Sequence, residues 1–226
     1  MPLSHRWSVT RKSAIEIQKR LAPMVSTKEA KLDFRLVAGA DVAFTRDKST
    51  AIAAVVVWSV TDGCVVESRS AEAPLSFPYV PGLLTFREAP ALLKAIDRLK
   101  SRPDVFLFDG HGLSHPRRIG LASHMGLVLD APSAGCAKSR LVGEHAEPGL
   151  RRGSRRPLKH DGETLGAVVR TRERVKPVYV SVGHRMSLDQ AVALVLACGR
   201  GFRLPEPTRL ADQYVASIKR ARSLAV

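Results

Sequence analysis

Asp41, Glu88, Asp109, Lys138 and His184 are the residues whose types and settings could do chemistry in this chain. Asp41 interrupts the apolar run 36–44, and Asp109 closes the short apolar run 105–108. An ionised carboxylate inside such a run is costly unless it is paired or bound to a metal. Carboxylate oxygens suit Mg2+ or Mn2+, which prefer oxygen ligands and need few from the protein. Carboxylates on neighbouring strands commonly hold such ions for phosphodiester hydrolysis, where the metal activates water and stabilises the leaving oxygen. Lys138 would neutralise charge on the scissile phosphate. Glu88 lies at or just before a helix start, where it either complements the helix dipole or points into the site. Taken singly, each reads more readily as a surface or ion-paired residue; for the set, that ordinary reading is weaker. The histidines are not at zinc-ligand spacing and no cysteine lies near them, which disfavours zinc.

These side chains need a frame. A short unbroken apolar run bounded by glycine reads as a strand buried on both faces, and ligands in open α/β sheets bind beyond the carboxyl ends of such strands. Asp109 holds that position, with Gly110-His-Gly-Leu-Ser-His-Pro-Arg-Arg118 directly after it. Residues 36–44, 51–60 and 64–68 read as an antiparallel meander, with Thr61-Asp62-Gly63 as turn chemistry. Further strands are expected at 133–137, 165–170 and 177–182, with His184 just past the last. Helices are expected at 10–22, at 118–127, and from a first turn holding Pro90 through Leu92, Leu93, Ile96 and Leu99. Two more are expected, one from the capping box Ser187-Leu-Asp-Gln190 to about Cys198, the other capped by Thr208. Segment 73–81 is stiffened by Pro74, Pro78 and Pro81 and presents Tyr79, either as a ring to stack on bases or as one packed on its own domain. Segment 143–161 is the least structured; its basic residues are either solvated or track a phosphate backbone. The resulting fold class is α/β: a ribonuclease H-like mixed sheet, three antiparallel strands then parallel strands, flanked by helices. That fold is inferred by analogy.

The charge points the same way. Lys plus Arg number 36 against 21 Asp plus Glu, a net charge of +15, which favours a polyanionic partner, most often nucleic acid. An anionic membrane surface is the rival, but there is no long basic amphipathic helix and no apolar run of the ~18 residues that span a bilayer. The chain's 226 residues show no repeat and no second domain, so a single domain over 1–226 is expected. Residues 1–12 hold no apolar segment of the secretory kind. Cys64, Cys136 and Cys198 are far apart and form no CxxC, which suits a reducing, cytoplasmic setting. Nothing resembles a heptad seam, and a monomer is expected.

Six stretches together resemble the motifs of the endonuclease V family. They are Val37-Ala-Gly-Ala-Asp41-Val-Ala, Pro78-Tyr-Val-Pro-Gly-Leu-Leu-Thr-Phe-Arg-Glu88, Asp109-Gly-His-Gly-Leu-Ser-His-Pro-Arg-Arg118, Ala137-Lys-Ser139, Ser181-Val-Gly-His-Arg185 and Arg203-Leu-Pro-Glu-Pro-Thr-Arg209. The resemblance covers about 21–216. It implies Mg2+ (Mn2+ may substitute) held by Asp41 and Asp109, an active site completed by Glu88 and His184, and Lys138 beside the scissile phosphate. It implies Tyr79 as the wedge that fills the gap left by an extruded base, and a hypoxanthine pocket lined by Gly82, Leu84, Gly110 and His115. The activity implied is repair of deoxyinosine in DNA by hydrolysis of the second phosphodiester bond 3′ to the lesion, leaving 3′-hydroxyl and 5′-phosphate ends. Base extrusion costs a few kcal/mol, least at a mismatch. Two alternatives stand beside it: an inosine-specific endoribonuclease of the same family, and a nucleic-acid-binding module without catalysis. Cys136 replaces a usual valine and Ala89 a frequent glycine; neither touches a chemical role.

Overall fold

The computed structural model describes residues 5–29 and 33–224; the first four residues of segment 1–12 lie outside them. Helix α1 (Arg11–Leu21) starts at Thr10, whose hydroxyl accepts the Ser13 N–H, and gives way to a short 3-10 turn at Ala22–Met24 containing Pro23. Strands β1 (Leu36–Phe44), β2 (Thr50–Ser59) and β3 (Cys64–Pro74) follow, then α2 (Leu84–Ile96), β4 (Val105–Phe108), α3 (Leu121–Leu129) and β5 (Ser133–Ala137). Strands β6 (Arg155–His160), β7 (Glu163–Val169) and β8 (Val178–His184) lead to α4 (Leu188–Ala197) and α5 (Glu206–Leu224). All eight strands form one sheet in the order β3-β2-β1-β4-β5-β8-β7-β6. The meander β1–β2–β3 is antiparallel, β4 and β5 run parallel to β1, and β8, β7 and β6 return antiparallel. The mixed α/β class expected from the sequence is the one observed, with its parallel part confined to three central strands.

The alternation of side chains along β1 divides the core into two layers. Ala38 and Ala40 face α2 and α3, packing with Ala89, Leu92 and Met125. Val37 packs on the opposite face, in the cluster that holds Val192 and Val195 of α4. On that second face Ala43 meets Val215 of α5. Gly39 lies between them and is packed so tightly that a Cβ there would stand 2.0 Å from the carbonyl carbon of Pro207. The first turn of α5 therefore rests directly on the backbone of β1.

Several element boundaries differ from the sequence reading. Pro90 is inside α2, because the helix begins at Leu84, and Glu88 is a buried residue of its second turn. Segment 143–161 is ordered: β6 occupies its second half and pairs with β7, and Glu144 bridges back to Lys159. Helix α3 starts three residues later than expected, at Leu121. Helix α5 starts at Glu206; Thr208 is in its first turn and its hydroxyl donates to the Pro205 carbonyl. Strand β3 runs on to Pro74, where an edge strand tolerates a residue with no N–H. The capping box at Ser187 forms as expected, with Gln190.

Candidate active site

The register of the central strands assembles the acids. Parallel pairing sets Ala40 opposite Phe108, so the next residues, Asp41 and Asp109, emerge side by side. Phe108 is paired in turn with Gly135, so Lys138 leaves the end of β5 at the same edge of the sheet. Its ammonium lies 2.6 Å from Asp109 Oδ2 and 3.9 Å from Asp212 Oδ1. Glu88 comes in from α2 and Asp212 from α5, one from each layer.

The electrostatics are those of an acid cluster with too few cations. Burial, then the charges of Asp109 and Asp212, push the Asp41 carboxyl up to about 7. Burial, then Asp41 and Asp109, push Glu88 up to about 8. Burial works against the charge on Lys138, but its bond to Asp109 and the surrounding carboxylates outweigh burial and raise its pKa. Like charges crowded in a partly dry site cannot all ionise together. Oxygen donors strained in this way fit a hard divalent cation. Among the described residues no three His, Cys, Asp or Glu side chains converge into a closed cage. As adjacent oxygen donors, Asp41 and Asp109 fit the chemistry of Mg2+ or Mn2+, which keep several waters and take one or two protein carboxylates.

His184 is not part of this group. It pairs with Ser133, at the start of β5, while Lys138 follows the end of that strand. The physical reason is strand direction: β8 runs antiparallel to β5, so its carboxyl end faces the other edge of the sheet. There His184 Nδ1 accepts the backbone N–H of Ser26 at 3.1 Å. Asp212 occupies the place in the cluster that the sequence reading gave to His184. Its only sequence signal is an acid next to the buried stripe of Thr208, Ala211 and Val215, too weak to single it out.

Beside the cluster, on the α2 and α3 side, a cavity of about 230 Å³ is lined by Gly82, Leu84, Gly110 and His115, the four residues expected to wall a pocket, and also by Tyr79, which was expected as a wedge. His111, Leu121 and Leu141 also line it. Tyr79 is 71% exposed at its mouth. Gly82 has φ +76°, a left-handed conformation suited to glycine. Its carbonyl accepts from Gln18 Nε2 at 3.0 Å, His115 Nε2 at 2.9 Å and Arg117 Nη2 at 2.7 Å. His115 Nδ1 accepts the Arg117 N–H, and burial first of all lowers its pKa to about 4. It is therefore a neutral imidazole that pins the Gly82 loop. His111 is also pushed down to about 4 by burial, and its Nδ1 is buried with no partner.

Comparison with known proteins gives one answer. The family model for endonuclease V matches residues 18–213. The endonuclease V of Gloeobacter violaceus is 50% identical over 96% of this chain and 90% of its own. The crystal structure of the endonuclease V of Streptomyces avermitilis superposes with a TM-score of 0.91 at 40% identity, covering 96% of each chain. That of the Ciona intestinalis endonuclease V D234N variant, in complex with a 23mer DNA containing an inosine followed by a ribo-adenosine, superposes with a TM-score of 0.82 at 25% identity, covering 94% of this chain and 99% of that one. By sequence over nearly its whole length, and by fold, this chain belongs to the endonuclease V family of nucleases.

Proposed function

We propose that this protein is a divalent-metal-dependent DNA repair endonuclease that recognises deoxyinosine and hydrolyses the second phosphodiester bond on its 3′ side, leaving 3′-hydroxyl and 5′-phosphate ends. The observation that carries the reading is the adjacency of a small cavity of about 230 Å³, lined by Gly82, Leu84, Gly110 and His115, to a charge-frustrated acid cluster with a lysine at its edge. The Ciona relative, crystallised on inosine-containing DNA, supports the substrate class.

In this reading Asp41 and Asp109 hold Mg2+ or Mn2+. Such an ion, when bound, activates water and stabilises the leaving oxygen. Lys138, now on Asp109, turns to the scissile phosphate when the substrate arrives. Glu88 and Asp212 complete the acidic wall, and His184 has no part in the chemistry. Tyr79 enters the stack where the damaged base leaves it. Gly82, Leu84 and Gly110 line the pocket that receives that base, while His115 acts on the pocket through Gly82.

No helix among the described residues is long and apolar enough to cross a membrane. Cys64, Cys136 and Cys198 are all unpaired, which supports a cytoplasmic setting; the reading is of a monomer.

The test is a duplex holding one deoxyinosine, incubated with excess protein in Mg2+ and in EDTA. A nick two bonds 3′ of the lesion, present only with the metal, is expected; no nick would overturn the proposal. The ribo-adenosine in the Ciona complex makes RNA the second reading. A matched inosine-containing RNA run in parallel decides between them by rate.

A further inference from the structure

Phe202 is a large apolar side chain that the fold leaves 47% exposed. It lies in the turn 199–204, between α4 and α5. That turn is clamped. The guanidinium of Arg203 donates to the carbonyls of Lys138 at 2.6 Å, Pro177 at 2.9 Å and Lys176 at 3.0 Å. The Thr171 hydroxyl donates to the Arg203 carbonyl at 2.5 Å. The residue next to Phe202 is thus tied to the backbone of Lys138 itself.

The ring is held as well. The guanidinium carbon of Arg209 lies 4.2 Å from its centroid, within cation–π range. Arg209 is neutralised by Glu206 through two bonds, of 3.0 and 2.6 Å, and the Glu206 side chain is 5% exposed. An arginine satisfied in this way is not a free phosphate ligand; its effect is to fix the phenyl ring. Arg209 and Asp212 are three residues apart on α5 and so share a helix face. Arg209, which holds the ring, is thus about one helical turn (~5 Å) along α5 from Asp212 of the acid cluster. The ring belongs to the α4 and α5 layer, whereas the base cavity belongs to the α2 and α3 layer.

A single exposed apolar residue needs no explanation. An aromatic face braced by a sheltered ion pair, beside a site that accepts a polynucleotide, has the makings of a stacking platform. We propose that Phe202 stacks on the nucleobase just beyond the cleaved bond. This inference rests on the substrate reading above. The substrate strand would then be gripped on both sides of the acids, by the cavity on one layer and by Phe202 on the other. Stacking of this kind tolerates any base but requires that base to be unpaired. The enzyme should accordingly favour single-stranded or frayed DNA on the 3′ side of the lesion.

The test uses the full chain and a single-stranded oligonucleotide with one deoxyinosine and 2-aminopurine as the second nucleotide 3′ of it, bound in EDTA. With the wild type, 2-aminopurine emission is expected to fall on binding. Phe202→Ala should leave the emission high, weaken binding about tenfold, and raise KM with little change in kcat. Phe202→Trp should restore the quenching, which guards against a variant that merely unfolds. Equal quenching and affinity in wild type and Phe202→Ala, with the wild type still nicking deoxyinosine, would overturn the platform alone. A wild type that neither binds nor nicks this strand would overturn the substrate reading, and the platform with it.

Discussion

Asp41 sits on a central strand with a second carboxylate beside it, and without a cation it keeps its proton to about pH 7, where an ordinary aspartic acid gives it up near 3.8. The folded protein then binds that proton more tightly than the unfolded chain. Stability contributed by Asp41 must fall as pH rises from about 4 through 7, and Glu88 extends the same trend to about 8. Buried histidines work in the opposite sense. His111, His115 and His124 are held neutral, near 4, 4 and 3, so their contribution is full above about 6.5 and is lost as pH falls toward those values. The difference between variants isolates the acids. Asp41→Asn, melted in EDTA at pH 9, should be more stable than the wild type by at least ~1 kcal/mol, and the gap should close at pH 4. The same variant should not nick deoxyinosine DNA. A variant less stable than the wild type at pH 9 would remove the charge-frustration account. Because metal ligands must be deprotonated, the Mg2+ concentration needed for half-maximal nicking should drop between pH 6.5 and 8.5; a flat dependence would contradict it.

At the scale of elements, the site depends on how closely α5 approaches β1. Gly39 allows that approach: a methyl group there would meet the Pro207 carbonyl carbon at 2.0 Å and the Thr208 nitrogen at 2.5 Å, both backbone atoms. Neither yields without moving the helix, and the helix carries Asp212. Gly39→Ala is expected to destabilise the fold by about 3 kcal/mol and to lower nicking further than base binding, since the cavity lies on the other layer. Denaturant unfolding with nicking and binding assays checks this, and unchanged stability would show that α5 is free to shift. The same packing explains what the sequence did and did not reveal. Strand β1 was legible because its nine residues are apolar but for one acid, and Asp41 and Asp109 were legible as a carboxylate inside one apolar run and another at the end of a second. Asp212 was not legible, since only a close helix-to-strand contact brings it in. His184 was misplaced because the strand-end rule applies to parallel strands, and β8 runs the other way. Pro90 reads naturally as a first-turn residue, yet the six residues before it, Leu84 to Ala89, are already helical.

Over the whole molecule, charge is unevenly spread. Residues 138–176 carry eleven Lys and Arg against five Asp and Glu. The ladder from Ala137 across Tyr179 and Val168 to Arg156 sets the start of β6 at the same sheet edge as Lys138. Arg151 and Arg156 are exposed there. If the nucleic acid runs along this edge, replacing both with Gln should weaken binding to any sequence and reduce the log–log salt slope by about 1–2. Titration of a deoxyinosine duplex and its undamaged counterpart at several salt concentrations measures it. Loss confined to the damaged duplex would argue against a backbone contact. Within residues 138–176, the part 143–161 was expected to be the least structured in the chain; β6 instead gives the cations there a fixed spacing, which no composition argument reveals because the pairing partner, β7, supplies the order.

The acid cluster is a negative hollow in a positive surface. A polyanion is drawn toward this protein by its net charge of +15 and then meets, at the place where it must settle to be cut, a group of acids with one lysine among them. Capture and commitment are in this way separated. In the reading proposed, the cations hold undamaged strands, and a divalent ion on the carboxylates supplies the positive charge that the cutting step needs. Metal supply would then govern how often a landing becomes a cut, more than how often a landing occurs.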